Sequence, residues 1–103
     1  MTTRHHEYKC WPVYFQAVWM GLKRFEVRET RGAAGGVRDP RAGDTVILRE
    51  YDDAGEDYTG RAVQVTVLYV MPGGRFGLDE DHIVFGFDLG VRVGLCTEES
   101  TQE

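Results

Sequence analysis

Apolar residues recur at two different spacings along the first thirty positions. Trp11, Phe15, Val18 and Leu22 stand at i, i+4, i+7 and i+11, which puts them on one face of a helix about two to three turns long. Pro12 suits the first turn of that helix, where the missing N–H is unpaired anyway. Gly21 stops it in the manner of a glycine just past a helix end. Ahead of it, His5 to Cys10 form a short first strand. From Lys23 to Glu29 the period drops to two: Phe25 and Val27 fall on one side, and Arg24, Glu26 and Arg28 on the other. This alternation predicts a half-buried strand with a charged outer face. Arg31 to Ala42, containing Gly32, Gly35, Gly36 and Pro40, reads as a long mobile loop and a candidate lid.

The second half of the chain keeps the period of two. Thr45 to Tyr51, preceded by Gly43-Asp44, is a β-prone run, and Arg61 to Val70 is the longest one. The acidic stretch Asp52 to Thr59 between them is a turn, so the two runs form a hairpin. Pro72-Gly73-Gly74 makes the next turn. Ile83, Phe85, Phe87 and Leu89 then share one face of a last strand, which Arg92 to Cys96 extends. The order is strand, helix, then four strands. One helix cannot cover both faces of a five-stranded sheet. The predicted fold is therefore α+β and mainly β: a partly closed five-stranded β-barrel with the helix packed after the first strand and plugging one opening. A single domain over 5–96 lies between an N-terminal tail, 1–4, and a disordered acidic tail, 97–103.

Length and composition agree with one globular domain: 103 residues, 42% of them hydrophobic and 12% aromatic. No apolar run approaches the roughly 20 residues that span a bilayer, and Met1 to Lys9 has no signal-peptide core. The two cysteines, Cys10 and Cys96, lack C-x-x-C spacing and read as free thiols in a reducing, cytoplasmic compartment. A net charge of −5 opposes non-specific nucleic-acid binding, but the charge is uneven. Residues 1–49 carry nine Lys/Arg against five Asp/Glu, whereas residues 50–103 carry three against twelve. A local positive field on an acidic protein is compatible with that split.

Gly21-Leu22-Lys23-Arg24-Phe25-Glu26-Val27-Arg28 resembles the G-x-K-x-x-E-x-R signature of ASCH domains. His6-Glu7-Tyr8-Lys9 is similar to the H-x-x-K opening of a small phage and bacterial branch of that family, a branch of uncharacterised function. Ala42-Gly43-Asp44, Leu48-Arg49-Glu50-Tyr51, Tyr58-Thr59-Gly60 and Phe76-Gly77-Leu78 match its strands and loops. The likeness covers about residues 5–89. It implies a PUA-like barrel with a cleft between helix and barrel, lined by the strand of Lys23, Glu26 and Arg28. Relatives have been proposed to bind RNA, and one branch hydrolyses acyl groups from modified cytidine nucleosides.

The residues themselves support the same candidates. Glu26 and Arg28, two apart on a strand, share a face, with Lys23 at its start. In a partly desolvated cleft such a Lys–Glu pair can supply a general base, and the Arg28 fork can hold a phosphate or a carbonyl oxygen. The plain alternative is a surface ion-pair ladder. Lys9 and His6 stand near the helix start, where Lys9 can bind phosphate and His6 can exchange protons. Trp11, Trp19, Tyr51 and Tyr69 are candidate stacking platforms. Trp11 belongs to the apolar helical stripe and is assigned to the core, Trp19 lies off it and is expected to be exposed, and Tyr51 is the better platform. Asp52, Asp53, Glu56 and Asp57 lack the ligand order of an EF-hand, and three histidines with two distant cysteines do not make a zinc site, so neither metal nor cofactor is expected.

Three functions follow. The first is a module binding RNA or a nucleotide through Lys9, Lys23, Arg24, Glu26, Arg28 and Tyr51. The second is a small amidohydrolase acting on an acylated nucleoside, with Lys23 as base or water activator and Glu26 as orienter or acid. The third is a protein-interaction module whose acidic second half meets a basic partner.

Overall fold

The computed structural model describes residues 4–30 and 39–94. It contains five strands, β1 (His5–Cys10), β2 (Phe25–Glu29), β3 (Thr45–Asp52), β4 (Asp57–Pro72) and β5 (His82–Val93), and one helix, α1 (Pro12–Trp19). All five strands form a single mixed sheet in the order β1-β3-β4-β5-β2. β1 runs parallel to β3, and the other pairs are antiparallel. Register shifts between Arg49 and Tyr51, Val63 and Val65, and Val67 and Tyr69 add the local twist that lets a short sheet curl. The result is the expected mainly β half-barrel, with the two edge strands, β1 and β2, facing each other across an unjoined seam.

The inward face is read from alternation. Val46 and Leu48 on β3, Val63, Val65 and Val67 on β4, and Ile83, Phe85 and Phe87 on β5 are buried, and Phe15 and Val18 of α1 close over them. Burying these side chains contributes about 1.5–3 kcal/mol each. The hairpin β3–β4 and the inward set of β5 agree with the sequence pattern. β4 outruns its apolar run at both ends, because Asp57 and Tyr58 pair with Asp52 and Tyr51 of β3, and Met71 and Pro72 pair with Val84 and Ile83 of β5.

The helix ends as its sequence dictates. Gly21 takes φ +82, a left-handed value that costs glycine little. Its N–H donates to the Val18 carbonyl at 2.9 Å and the Leu22 N–H to the Ala17 carbonyl at 2.9 Å, the two bonds of a Schellman cap.

Three expectations are corrected. Trp11 is 54% exposed, since it is the N-cap in extended conformation and lies off the helical stripe it was counted in. Leu22, past the cap, is 76% exposed. Trp19 is half-buried against Phe15, with ring centroids 5.8 Å apart, rather than exposed.

The largest correction concerns β2. Phe25 and Val27 are 48% and 46% exposed, while Glu26 is 4% exposed, so the charged side faces inward. Register explains it. Glu26 pairs with Phe85 and Arg28 with Ile83, and directly opposed residues share a face of the sheet. A slip of one residue would reverse every side chain, but the bonds from Phe87 N–H to the Arg24 carbonyl at 3.0 Å and from Thr30 N–H to the Asp81 carbonyl at 2.8 Å fix both ends of the strand.

Arg4, assigned to the N-terminal tail, is tied to the domain: its guanidinium donates to Asp44 at 3.2 Å and to the Asp39 carbonyl. Asp44, buried, also accepts from His6 Nε2 at 2.9 Å and from the Arg41 N–H at 2.8 Å. Burial alone would raise this carboxyl's pKa, but the His6, Arg41 and Arg4 contacts hold it below the ordinary value of 3.8. His6 is thereby committed to the start of β1 and does not border the cleft. Most of the candidate lid, 31–38, and the whole of the acidic tail, 97–103, lie outside the described residues. Among the described residues, no helix is long and apolar enough to cross a membrane.

Candidate functional site

The seam between β1 and β2 opens into a cleft of about 620 Å³, lined by Lys9, Cys10, Trp11 and Tyr14 on one side and by Lys23 and Phe25 to Arg28 on the other. That volume lies within the range of pockets that hold small ligands, roughly 300–1,000 Å³.

At its floor the Glu26 carboxylate is held by two cations. Lys23 Nζ donates to Oε2 at 2.5 Å and to the Phe25 carbonyl at 2.7 Å. Arg28 donates to Oε1 from Nη2 at 2.8 Å and from Nε at 3.2 Å. Arg28 Nη2 also reaches across the seam to the Lys9 carbonyl at 2.9 Å, and its guanidinium sits 4.9 Å from the centre of the Tyr8 ring. One arginine therefore joins the two edges of the half-barrel. Above the floor, Trp11 and Tyr14 stack at 6.4 Å and 27°, an exposed aromatic wall on the first turn of α1.

Behind this floor lies a second buried carboxylate. Glu50 accepts from Thr59 Oγ1 at 2.6 Å and from Arg61 Nε and Nη2 at 2.9 and 3.1 Å. Arg61 also donates to Gln16 at 2.9 Å and lies over the rings of Phe15 and Trp19 at 5.2 and 4.7 Å, so it fastens α1 to the β3–β4 hairpin. Burial would raise the Glu50 pKa, but the bonds from Arg61 and Thr59 bring it below the ordinary 4.5. Cys10, buried, feels both acids: burial first and then the Glu26 charge push its thiol up to about 12, so it is a neutral thiol and not a thiolate nucleophile.

Four of the six sequence candidates, Lys9, Lys23, Glu26 and Arg28, line the cleft. Arg24 does not; it is exposed and pairs with Asp88 at 3.6 Å, because it precedes the strand and turns toward β5. Tyr51 does not line it either. It lies on the outer face of the sheet, where Lys9 Nζ sits 4.3 Å over its ring. Cys10, Trp11, Tyr14, Phe25 and Val27 are cleft residues that the pattern assigned elsewhere or passed over. The usable signal was Pro12, which sets Trp11 outside the helix and Tyr14 on its first turn. The acidic turn is shorter than expected, 53–56, because Asp52 ends β3 and Asp57 begins β4; Asp52 accepts from the Ala54 N–H at 3.1 Å. Among the described residues, Asp79, Asp81 and the half-buried His82 bring ligand atoms within 4.8 Å of one another, away from the cleft.

Fold and site thus define a class: a small mixed-sheet half-barrel whose unjoined edges flank a charged, aromatic-walled cleft. Residues 5–87 match the family model described as a domain of unknown function, DUF3850, and the chain belongs to that family. No curated protein matches the chain.

Proposed function

We propose that the cleft binds a nucleotide, free or as an unpaired position of an RNA. One observation carries this reading: a buried Glu26 carboxylate, fixed by Lys23 and Arg28, lies beneath the exposed Trp11–Tyr14 wall. Flat, partly polar rings stack on such walls. A carboxylate accepts from the exocyclic amine of a base, and the lysine and arginine beside it donate to phosphate or carbonyl oxygen. The resemblance to ASCH domains, and through them to PUA-like barrels, points the same way. A reducing, cytoplasmic setting suits the free thiol of Cys10.

The hydrolase alternative draws on the short Lys23–Glu26 contact. Lys23 Nζ is turned to the Glu26 carboxylate and the Phe25 carbonyl, a fixed donor position that suits holding a ligand, so binding is favoured over turnover.

The test is a thermal-shift and turnover screen of wild type and Lys23→Ala with ribonucleoside monophosphates, N4-acetylcytidine and short RNAs. Binding that falls at least about tenfold in Lys23→Ala, weakens with salt and yields no product is the expected result. Lys23-dependent deacetylation makes the protein an amidohydrolase instead. Silence from every ligand removes the nucleotide reading and turns attention to a protein partner.

A further inference from the structure

We infer that the ligand is a single-stranded RNA of at least two nucleotides, and that its chain leaves the cleft over Lys9 onto the outer face of β1, β3 and β4. This rests on the cleft reading above and deepens it.

The carrying observation is a run of alternating cations and rings. Lys9 Nζ lies 4.3 Å over the Tyr51 ring. Tyr51 meets Tyr58 edge to face at 5.1 Å and 73°. Arg49 Cζ lies 4.0 Å over the Tyr58 ring. Register places these groups side by side, Lys9 opposite Arg49 and Tyr51 opposite Tyr58. They occupy the outward positions of their strands, since the alternate positions Cys10, Leu48 and Glu50 are buried. The run has no part in the core, which lies on the other face of the sheet.

Lys9 joins the two regions. Its carbonyl accepts from Arg28 inside the cleft at 2.9 Å, while its ammonium sits outside over Tyr51. A base that fills the cleft therefore has its neighbouring phosphate near Lys9 and its neighbouring base near Tyr51. Rings with adjacent cations are the usual sequence-tolerant surface for unpaired bases, at roughly one base per ring.

Charge also sets where the track ends. Beyond Tyr58 the hairpin tip carries Asp52, Asp53, Glu56 and Asp57, and Glu7 stands 3.8 Å from Arg49. Both repel phosphate, so the surface suits a short single strand and not a long duplex. The balance of charge on this face also explains how a chain of net charge −5 can take an anionic strand at one place only.

The experiment measures affinity for AMP and for the RNA tetranucleotide AAAA with wild type, Tyr51→Ala, Arg49→Gln and Lys23→Ala. The tetranucleotide is expected to bind wild type at least about tenfold more tightly than AMP. Tyr51→Ala and Arg49→Gln are each expected to weaken it by about 5- to 100-fold while changing AMP affinity less than about twofold. Arg49 is partly exposed, so its variant reports on the track even if Tyr51→Ala misfolds. Equal affinity of wild type for AMP and AAAA, or unchanged AAAA binding in Arg49→Gln, overturns the track whatever happens in the cleft. AAAA binding that depends on Arg49 but survives Lys23→Ala keeps the track and removes the cleft reading. Binding of neither ligand removes both.

Discussion

Glu26→Ala is expected to abolish nucleotide binding and to lower stability by about 1–3 kcal/mol. The carboxylate is buried, and its two partners, Lys23 and Arg28, have side chains 18% and 24% exposed. Removing Glu26 leaves two cations side by side at the floor of the cleft with no anion between them. Their partial contact with water keeps the cost below that of a wholly buried pair, for which losing one partner costs about 3–5 kcal/mol. Arg28 then has less reason to hold its orientation across the seam, and the Lys9 carbonyl loses its donor. Glu26→Gln keeps the shape and one acceptor oxygen but removes the charge and turns an NH2 toward one of the two cations, so it is expected to lose part of the same stability and to bind weakly. Chemical denaturation followed by nucleotide titration of both variants separates the two effects. A Glu26→Ala protein as stable as wild type, with binding intact, would mean that the triad carries neither the fold nor the binding.

Arg61→Met is expected to be destabilised by about 2–4 kcal/mol at pH 7, with a changed pH dependence. In the wild type, the bonds from Arg61 and Thr59 outweigh the effect of burial, and Glu50 titrates below 4.5. A carboxyl depressed on folding contributes stability that is present above its unfolded value and is lost as pH falls through its folded value. Wild-type stability should therefore hold from pH 7 down to about 4.5 and decline below that, with Asp44, depressed below 3.8, adding to the decline further down. Without Arg61, burial dominates and pushes Glu50 upward. The variant then suffers most at neutral pH, where a charged Glu50 is buried with few partners, and the gap to wild type narrows toward pH 4 as that carboxyl takes a proton. Urea unfolding of both proteins at pH 7, 5.5 and 4 measures the gap. A gap that stays constant with pH would assign the role of Arg61 to its packing on Phe15 and Trp19 alone.

Much of the fold was legible in the sequence because apolar side chains with one possible destination define a face. Ile83, Phe85 and Phe87 could only point inward, and Pro12 with Gly21 bracketed the helix. The face of β2 was not legible for a physical reason. Phe25-Glu26-Val27-Arg28 alternates equally well in either sense, and hydrophobicity alone chooses Phe25 and Val27 for the interior. The choice is reversed by register with Phe85 and by the two cations that satisfy Glu26 once it is buried, neither of which is a local property. Trp11 was misassigned because a helical period fits it, although a residue before Pro12 is biased away from helical geometry. Tyr51 stands near the end of β3, as its place in the sequence suggests, but it is not a cleft residue. Its side of the sheet depends on the curl of the barrel, and so it lies outside the cleft rather than within it.

The most direct test of the central claim is a titration of ¹⁵N-labelled protein with AMP, followed by amide and indole chemical shifts. Saturable shifts concentrated at the Trp11 indole and at Cys10, Tyr14 and residues 23–28 are the predicted result. No shift at millimolar AMP, or shifts gathered instead around Asp79 to His82, would contradict it.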